Sequence, residues 1–233
     1  MFKVLLTVLL SLFSLNTLAA PLPTIDRDRT VLINGPIANT SILSLGERLL
    51  VMTNTKRDPV SIVINSPGGS IELGYLFVNY MQAVRARKVT INCYVQHIAA
   101  SMAFQILLHC DNRYALSHSL LLWHGARIFG VEEVTEDRAT IIADDLKKAN
   151  AAILDELHRT LTGMPIIEVD KHFERQTLHT GRDLAAATSG FIHVYPSIPG
   201  LLSINDKNTP STAVTSIFGF VGHIIYMYEG GLL

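Results

Sequence analysis

The sequence has no surplus of charge of either sign. Its 233 residues include 19 Lys and Arg against 20 Asp and Glu, which gives a formal net charge of -1. Without a basic field, the chain has nothing to hold nucleic acid or an anionic membrane surface. Nucleic-acid partners are therefore not expected. Internal repeats and low-complexity linkers are also missing, which favours a single domain.

The N-terminus has the three-part layout of a secretory signal peptide. Lys3 precedes an apolar run at residues 4–13, and the segment ends in the small residues of Thr17-Leu18-Ala19-Ala20. The apolar core is shorter than the roughly 20 residues that a membrane-spanning helix needs. We therefore expect cleavage after Ala19, with residues 1–19 as signal peptide and residues 20–233 as one domain. A periplasmic or secreted protein is predicted, and a membrane anchor formed by an uncleaved leader is the alternative.

Cysteine is scarce, since Cys93 and Cys110 are the only two. An oxidising compartment permits one disulfide between them. Each lies in an apolar stretch, however, and two buried free thiols fit that setting equally well. The sequence leaves the pairing open.

Apolar runs and helical periodicity alternate along the chain. Buried strands are predicted at residues 29–37, 60–65, 89–95 and 119–123, and helices at residues 39–52, 71–85 and 102–109. Ser70 and Thr135 are good N-caps, the second for a long helix that Gly163 and Pro165 end. This alternation predicts an α/β fold with a parallel sheet, crossover helices and a long helix in the C-terminal half. The apolar tail at residues 216–228 is expected to form a strand or a subunit contact.

Three informative segments follow predicted strands, at residues 65–70, 99–102 and 123–125. Ligands bind beyond the carboxyl ends of parallel strands, so these segments should converge on one edge. Ser101 lies where a strand gives way to a helix, which presents its hydroxyl as a nucleophile beside the Met102 amide. His124 ends the next strand, where a neutral imidazole can accept the serine proton.

The segment Asn65-Ser-Pro-Gly-Gly supplies exposed backbone amides beside these two residues. Glycines let a substrate carbonyl approach the backbone, so Gly69 is the expected second oxyanion donor together with Met102. Gly68 and Ser70 are expected to contact the substrate. Each feature alone has an ordinary structural explanation, and it is their order and shared edge that favour a serine hydrolase.

Three motifs in matching order resemble the proteolytic subunit of Clp protease: Ile-Asn-Ser-Pro-Gly-Gly at 64–69, Ala-Ala-Ser-Met at 99–102 and Trp-His-Gly at 123–125. The resemblance covers residues 31–193. It implies a ClpP/crotonase-like fold and serine-type hydrolysis of peptide bonds in peptides or unfolded proteins. It also implies Ser101 as nucleophile, His124 as base, Gly69 and Met102 as oxyanion hole, and a ring-shaped homo-oligomer. That chemistry needs neither a metal nor a cofactor.

The resemblance breaks at the third catalytic position. Gln176 stands where the family's aspartate is expected, in the segment Phe-Glu-Arg-Gln-Thr-Leu at 173–178. Its amide oxygen can accept a hydrogen bond from His124 but has no charge to stabilise an imidazolium. Asp170 and Asp183 are the candidate substitutes if the loop is remodelled.

The leader separates this chain from the cytosolic ATPases that serve the family, so no ATPase partner is expected. One alternative is a catalytically weak or inactive scaffold that keeps the oligomer. Another is an exported Ser-Lys peptidase that degrades signal peptides and uses Lys147 or Lys148 as base. A crotonase-like acyl-CoA enzyme is disfavoured because an exported protein does not meet that cofactor.

Overall fold

The computed structural model describes residues 23–54, 59–128 and 135–204. The predicted signal peptide and the apolar tail at residues 216–228 lie outside these ranges. Within them, no helix is both long enough and apolar enough to cross a membrane.

Helices and strands alternate through most of the described chain. The strands are β1 (Thr30–Asn34), β2 (Val60–Ser66), β3 (Ile91–Ala100), β4 (Asn112–Leu116), β5 (Leu120–Leu122), β6 (His179–Thr180) and β7 (His193–Tyr195). The helices are α1 (Ser41–Met52), α2 (Ile71–Ala86), α3 (Met102–Leu108), α4 (Glu136–Thr160), α5 (Ile166–Arg175) and α6 (Gly181–Ala187). Short 3-10 turns lie at Arg27–Arg29 and Leu201–Ser203.

In the described part of the chain, seven strands form one sheet in the order β1-β2-β3-β4-β7, and every pair along this path is parallel. The short strand β5 pairs parallel with the far end of β3 and antiparallel with β6. The predicted α/β fold with a parallel sheet and crossover helices is confirmed. β3 runs five residues beyond the predicted strand end, and this extension is what receives β5.

The sheet is covered on both faces, which explains the continuous apolar run of β2. Ile62 and Ile64 belong to the main core with the helices, while Val63 faces a second cluster. That second cluster joins Val63 to Tyr94 and to the segment around Leu201. A strand buried on both faces has no polar positions to alternate with apolar ones.

The long helix α4 begins where its cap predicts, since the Thr135 side chain accepts a hydrogen bond from the Arg138 amide. The apolar side chains of α4 are unevenly buried. Ile153 and Leu157 are buried, but Ile142 and Leu146, nearer the start of the helix, remain partly exposed. The first half of α4 therefore contributes no buried side chain to this domain.

Cys93 and Cys110 form a disulfide, with their Cα atoms 5.9 Å apart. Cys93 lies in β3 and Cys110 follows α3, so the bond ties the start of the central strand to the far end of the next helix. Both side chains are completely buried. The pairing that the sequence left open is made in the structure.

The disulfide should contribute strongly to stability. Its sequence separation is 17 residues, and closing a loop of that length stabilises a domain by about 3 kcal/mol in the chain-entropy account. Replacing both cysteines by alanine should lower the free energy of unfolding by that order in urea titrations. Equal midpoints for the oxidised protein and this variant would contradict the expectation. Mass measurement without reductant checks that the bond is present.

Candidate active site

The register of the sheet brings three strand ends to one edge. Ser66 of β2 lies opposite Ala99 of β3, and Ala100 lies opposite Leu122 of β5. The Ser101 amide then donates to the Leu122 carbonyl at 2.9 Å, which extends the ladder past the end of β3. Ser101 therefore leaves the sheet beside the start of the segment that carries His124.

Ser101 has a strained backbone, with φ 55° and ψ -125°. Non-glycine residues in sparsely populated conformations cost about 1–3 kcal/mol and persist where the surroundings enforce them. Here Ser101 forms the sharp turn between β3 and α3, where its carbonyl accepts from the Phe104 and Gln105 amides. The turn has the form of a nucleophile elbow, which exposes the serine hydroxyl at the edge of the sheet.

The backbone around this turn is packed so closely that only glycine fits at the two positions of the glycine pair, Gly68 and Gly69. A Cβ on Gly68 would lie 2.6 Å from the Ser101 Cβ and 2.7 Å from the Met102 nitrogen. A Cβ on Gly69, whose φ is 144°, would lie 2.3 Å from the Ile37 carbonyl oxygen. No other residue fits at either position without moving the backbone.

Hydrogen bonds around the glycine pair leave one amide unused. The Gly68 amide donates to the Ser66 hydroxyl at 3.1 Å, and the Ser70 amide donates to the Ile37 carbonyl at 2.7 Å. The Gly69 amide lies between them and takes part in neither bond. Met102 is the first residue of α3, where an amide has no acceptor within the helix. The two predicted oxyanion donors thus have no competing acceptor in these local networks.

His124 is half-buried, and its Nδ1 lies 2.6 Å from the Gly125 carbonyl oxygen. A carbonyl oxygen only accepts, so Nδ1 carries the proton and Nε2 is the basic nitrogen of the neutral ring. Burial lowers the pKa of His124, the Gly125 bond partly offsets this, and the nearby Arg127 lowers the pKa further. The imidazole is therefore held neutral and ready to accept a proton near neutral pH.

A cleft of about 650 Å³ gathers the predicted site residues. Its lining includes Gly68, Gly69, Ser70, Ser101, Met102 and His124. This volume lies within the range of about 300–1,000 Å³ that is usual for ligand sites. The residues assigned from the sequence as nucleophile, base, oxyanion donors and substrate contacts thus face one cavity.

The three candidates for the third catalytic residue have other partners in the structure. Gln176 is the C-cap residue that follows α5, and its Oε1 accepts a hydrogen bond from the Arg127 guanidinium. Asp170 Oδ1 lies 2.6 Å from His158 Nε2, and Asp183 accepts from the Thr180 amide and hydroxyl as a helix cap. Asp170 and Asp183 are thus engaged away from His124, because α5 and α6 use their carboxylates to fix their own ends and neighbours.

An aromatic cluster behind His124 was not predicted from the sequence. The His179 ring stacks on Trp123 with the centroids 4.8 Å apart, and His172 lies edge-on to His179 at 4.5 Å. The antiparallel pairing of β6 with β5 places His179 opposite Leu121. Burial, together with the neighbouring His172, lowers the pKa of His179 to about 4.

This cluster should make the protein acid-sensitive. The unfolded pKa of histidine is near 6.5, so His179 stabilises the fold fully above that pH and loses its contribution as the pH falls toward 4. The shift corresponds to about 3 kcal/mol. Urea unfolding at several pH values should show that His179→Phe, which keeps the stack, loses less stability between pH 7 and pH 4 than the parent.

The matched control is His118→Phe, because His118 is exposed. Its pH dependence should follow that of the parent protein. If His179→Phe loses as much stability on acidification as the parent, His179 is not the group responsible.

A cleft of this kind at the edge of a parallel sheet can support the chemistry of an α/β serine hydrolase. A model of the Clp protease family matches residues 17–194, which is more than half of the chain. The chain therefore belongs to the Clp protease family, and it is a serine peptidase of the ClpP-like type. The fold expected from the resemblance is confirmed.

Curated relatives agree with this assignment. An ATP-dependent Clp protease proteolytic subunit 2 of Thermobifida fusca is 29% identical over 163 residues, which cover 69% of this chain and 74% of the relative. A proteolytic subunit 2 of Chlamydia abortus is 32% identical over 158 residues, or 64% of this chain and 71% of that protein. A proteolytic subunit 1 of Chlamydia felis is also 32% identical, with 64% and 72% covered.

Proposed function

We propose that this protein is a serine endopeptidase that cuts peptide bonds by Ser101–His124 catalysis, outside the cytoplasm and without an ATPase. The observation that carries the proposal is that Ser101 and His124 line one cleft while the Gly125 carbonyl holds the His124 Nδ1 proton. That arrangement leaves Nε2 as the base. Peptides and unfolded protein segments are the proposed substrates.

The reaction follows from these positions. His124 Nε2 takes the Ser101 proton as the serine oxygen attacks the peptide carbonyl carbon. The Gly69 and Met102 amides donate to the oxyanion that forms. His124 then gives its proton to the leaving amine, and water hydrolyses the acyl-enzyme by the same route in reverse order.

The Gly125 carbonyl takes over one of the two roles of a triad aspartate. It fixes the tautomer and orientation of His124 through the 2.6 Å contact. It carries no full negative charge, so it stabilises the imidazolium less. For comparison, replacing the aspartate by its amide in a serine protease costs about 10⁴-fold in turnover, mainly through the wrong tautomer. Because the tautomer is correct here, we propose a reduced but real activity.

The disulfide supports the proposed export. Disulfides persist in oxidising compartments and are rare in the cytosol, and Cys93 and Cys110 form one inside the core. The signal-peptide pattern of residues 1–19 points the same way. The relatives are named ATP-dependent subunits, whereas an exported enzyme has no cytosolic ATP-driven partner and must take substrates that are already unfolded.

Exposed apolar side chains support a homo-oligomer. Ile141 on α4 and Ile166 and Ile167 on α5 are each more than half exposed. Large aliphatic side chains in such numbers on neighbouring helices are suited to a subunit contact. We propose that the family's oligomeric habit is retained, with these helices contributing to the contact.

The Ser-Lys alternative has less support. Lys147 and Lys148 are exposed on α4, and Lys148 pairs with Asp145 at 3.7 Å in solvent. A lysine acting as a base must be desolvated to lower its pKa. The inactive-scaffold alternative is favoured only by the loss of the aspartate, and it predicts no acylation at all.

A fluorophosphonate probe tests the proposal on the purified mature protein. The parent should be labelled, Ser101→Ala should not, and His124→Ala should be labelled at least about 100-fold more slowly because its base is gone. The Lys147→Ala/Lys148→Ala variant is the matched control and should label at the parent rate. No labelling of the parent under any condition would contradict the peptidase proposal.

The pH profile of labelling tests the role of His124. Only neutral His124 can accept the serine proton, so the rate should fall as the pH drops through its pKa. Burial and Arg127 place that pKa below 6.5, and the midpoint should therefore lie below pH 6.5. Replacing Arg127 by glutamine should move the midpoint upward. A midpoint above pH 7 would contradict the assignment.

A further inference from the structure

One permanent charge faces the cleft among the residues that the structure describes. The lining otherwise consists of glycine backbone, apolar side chains such as Ile37 and Ile153, and neutral polar groups such as Gln105. Arg127 is the exception, three residues after His124. A cation at the mouth of a largely apolar cleft creates a local field that attracts anionic groups of a substrate.

The charge of Arg127 is not neutralised within the described chain. Its guanidinium donates to the amide oxygen of Gln176, which is an uncharged partner. The effect of that charge on the catalytic base is visible, because Arg127 contributes to the lowered pKa of His124. A guanidinium has five N–H donors in a fixed fork, so one bond to Gln176 leaves most of them for a ligand.

The identity of residue 176 decides whether this charge is available. An aspartate there, as the family resemblance leads one to expect, would form an ion pair with Arg127 and neutralise it. Glutamine occupies the same place, accepts the hydrogen bond and, among the described residues, leaves Arg127 without an ion pair. With glutamine at position 176, the charge of Arg127 is therefore available to a ligand, whereas an aspartate there would have neutralised it.

We propose that Arg127 binds a carboxylate of the peptide substrate next to the scissile bond and so determines specificity. The inference rests on the proposed peptidase function. The guanidinium fork matches the two oxygens of a carboxylate, which allows two parallel, charge-assisted hydrogen bonds. The carboxylate comes either from an acidic side chain near the cleavage point or from the C-terminus of a short peptide.

Paired fluorogenic peptides test the inference and separate the two sources. One series compares Glu with Gln at each position next to the scissile bond, so that only charge changes. A second series compares a free C-terminal acid with its amide. The parent protein should cleave the carboxylate member of at least one pair with a kcat/KM about tenfold higher. Added salt should reduce this ratio.

Variants assign the preference to Arg127. The ratio should fall to about one in Arg127→Gln and persist in part in Arg127→Lys, which keeps the charge without the fork. It should also fall in Gln176→Asp, because the new carboxylate neutralises Arg127. Arg48→Gln is the matched control, since Arg48 is exposed on α1 and does not line the cleft. It should keep both the parent rate and the parent ratio.

The ratio within one variant is independent of how much of that variant is folded. Cleavage of both members of every pair at equal rates by the parent would overturn the inference and leave the peptidase proposal standing. A preference that survives in Arg127→Gln would overturn it as well. Failure of the parent to cleave any peptide would overturn the peptidase proposal, and this inference with it.

Discussion

The pairing of β3 with β5 is the constraint on which the site depends. The far end of β3 leaves its earlier partner and takes up β5, and the Ser101 amide adds one more bond, to the Leu122 carbonyl. That bond fixes the turn in which Ser101 adopts a positive φ. It also sets the distance along the edge between the serine and the segment of Trp123 and His124. The same turn places both Ser101 and the first residue of α3 on the lining of the cleft.

In the proposed mechanism, the same edge has to work without a third carboxylate. A triad aspartate orients the histidine and also stabilises its charged form. Here the backbone carbonyl of Gly125 contacts His124 Nδ1 and is proposed to do the first, and Gln176, at the position of the aspartate, is hydrogen-bonded to Arg127. Orientation of His124 and stabilisation of its charged form are thereby separated. The backbone orients the ring, while the side chains near it provide a positive field instead of a negative one.

Much of this architecture could be predicted from the sequence, for identifiable reasons. Ser70 and Thr135 cap helices because their hydroxyls accept amide hydrogen bonds, and the buried strand β2 is apolar throughout because both its faces are covered. By contrast, β4 carries Asn112 and Arg113 and shows no apolar pattern. The placement of Ser101, His124 and the glycine pair at one edge followed from parallel strands ending together.

The remainder depends on contacts that residue types do not encode. The stack of His179 on Trp123 requires β6 to return antiparallel to β5, a pairing between segments far apart in the chain. The Gly125 contact with His124 depends on the path of the loop and not on the side chain. Both features therefore depend on the assembled sheet. The disulfide has a further consequence for how the domain withstands proteolysis. Ser101 lies within the covalent ring that Cys93 and Cys110 close, so a cut in the chain between them would leave both fragments joined.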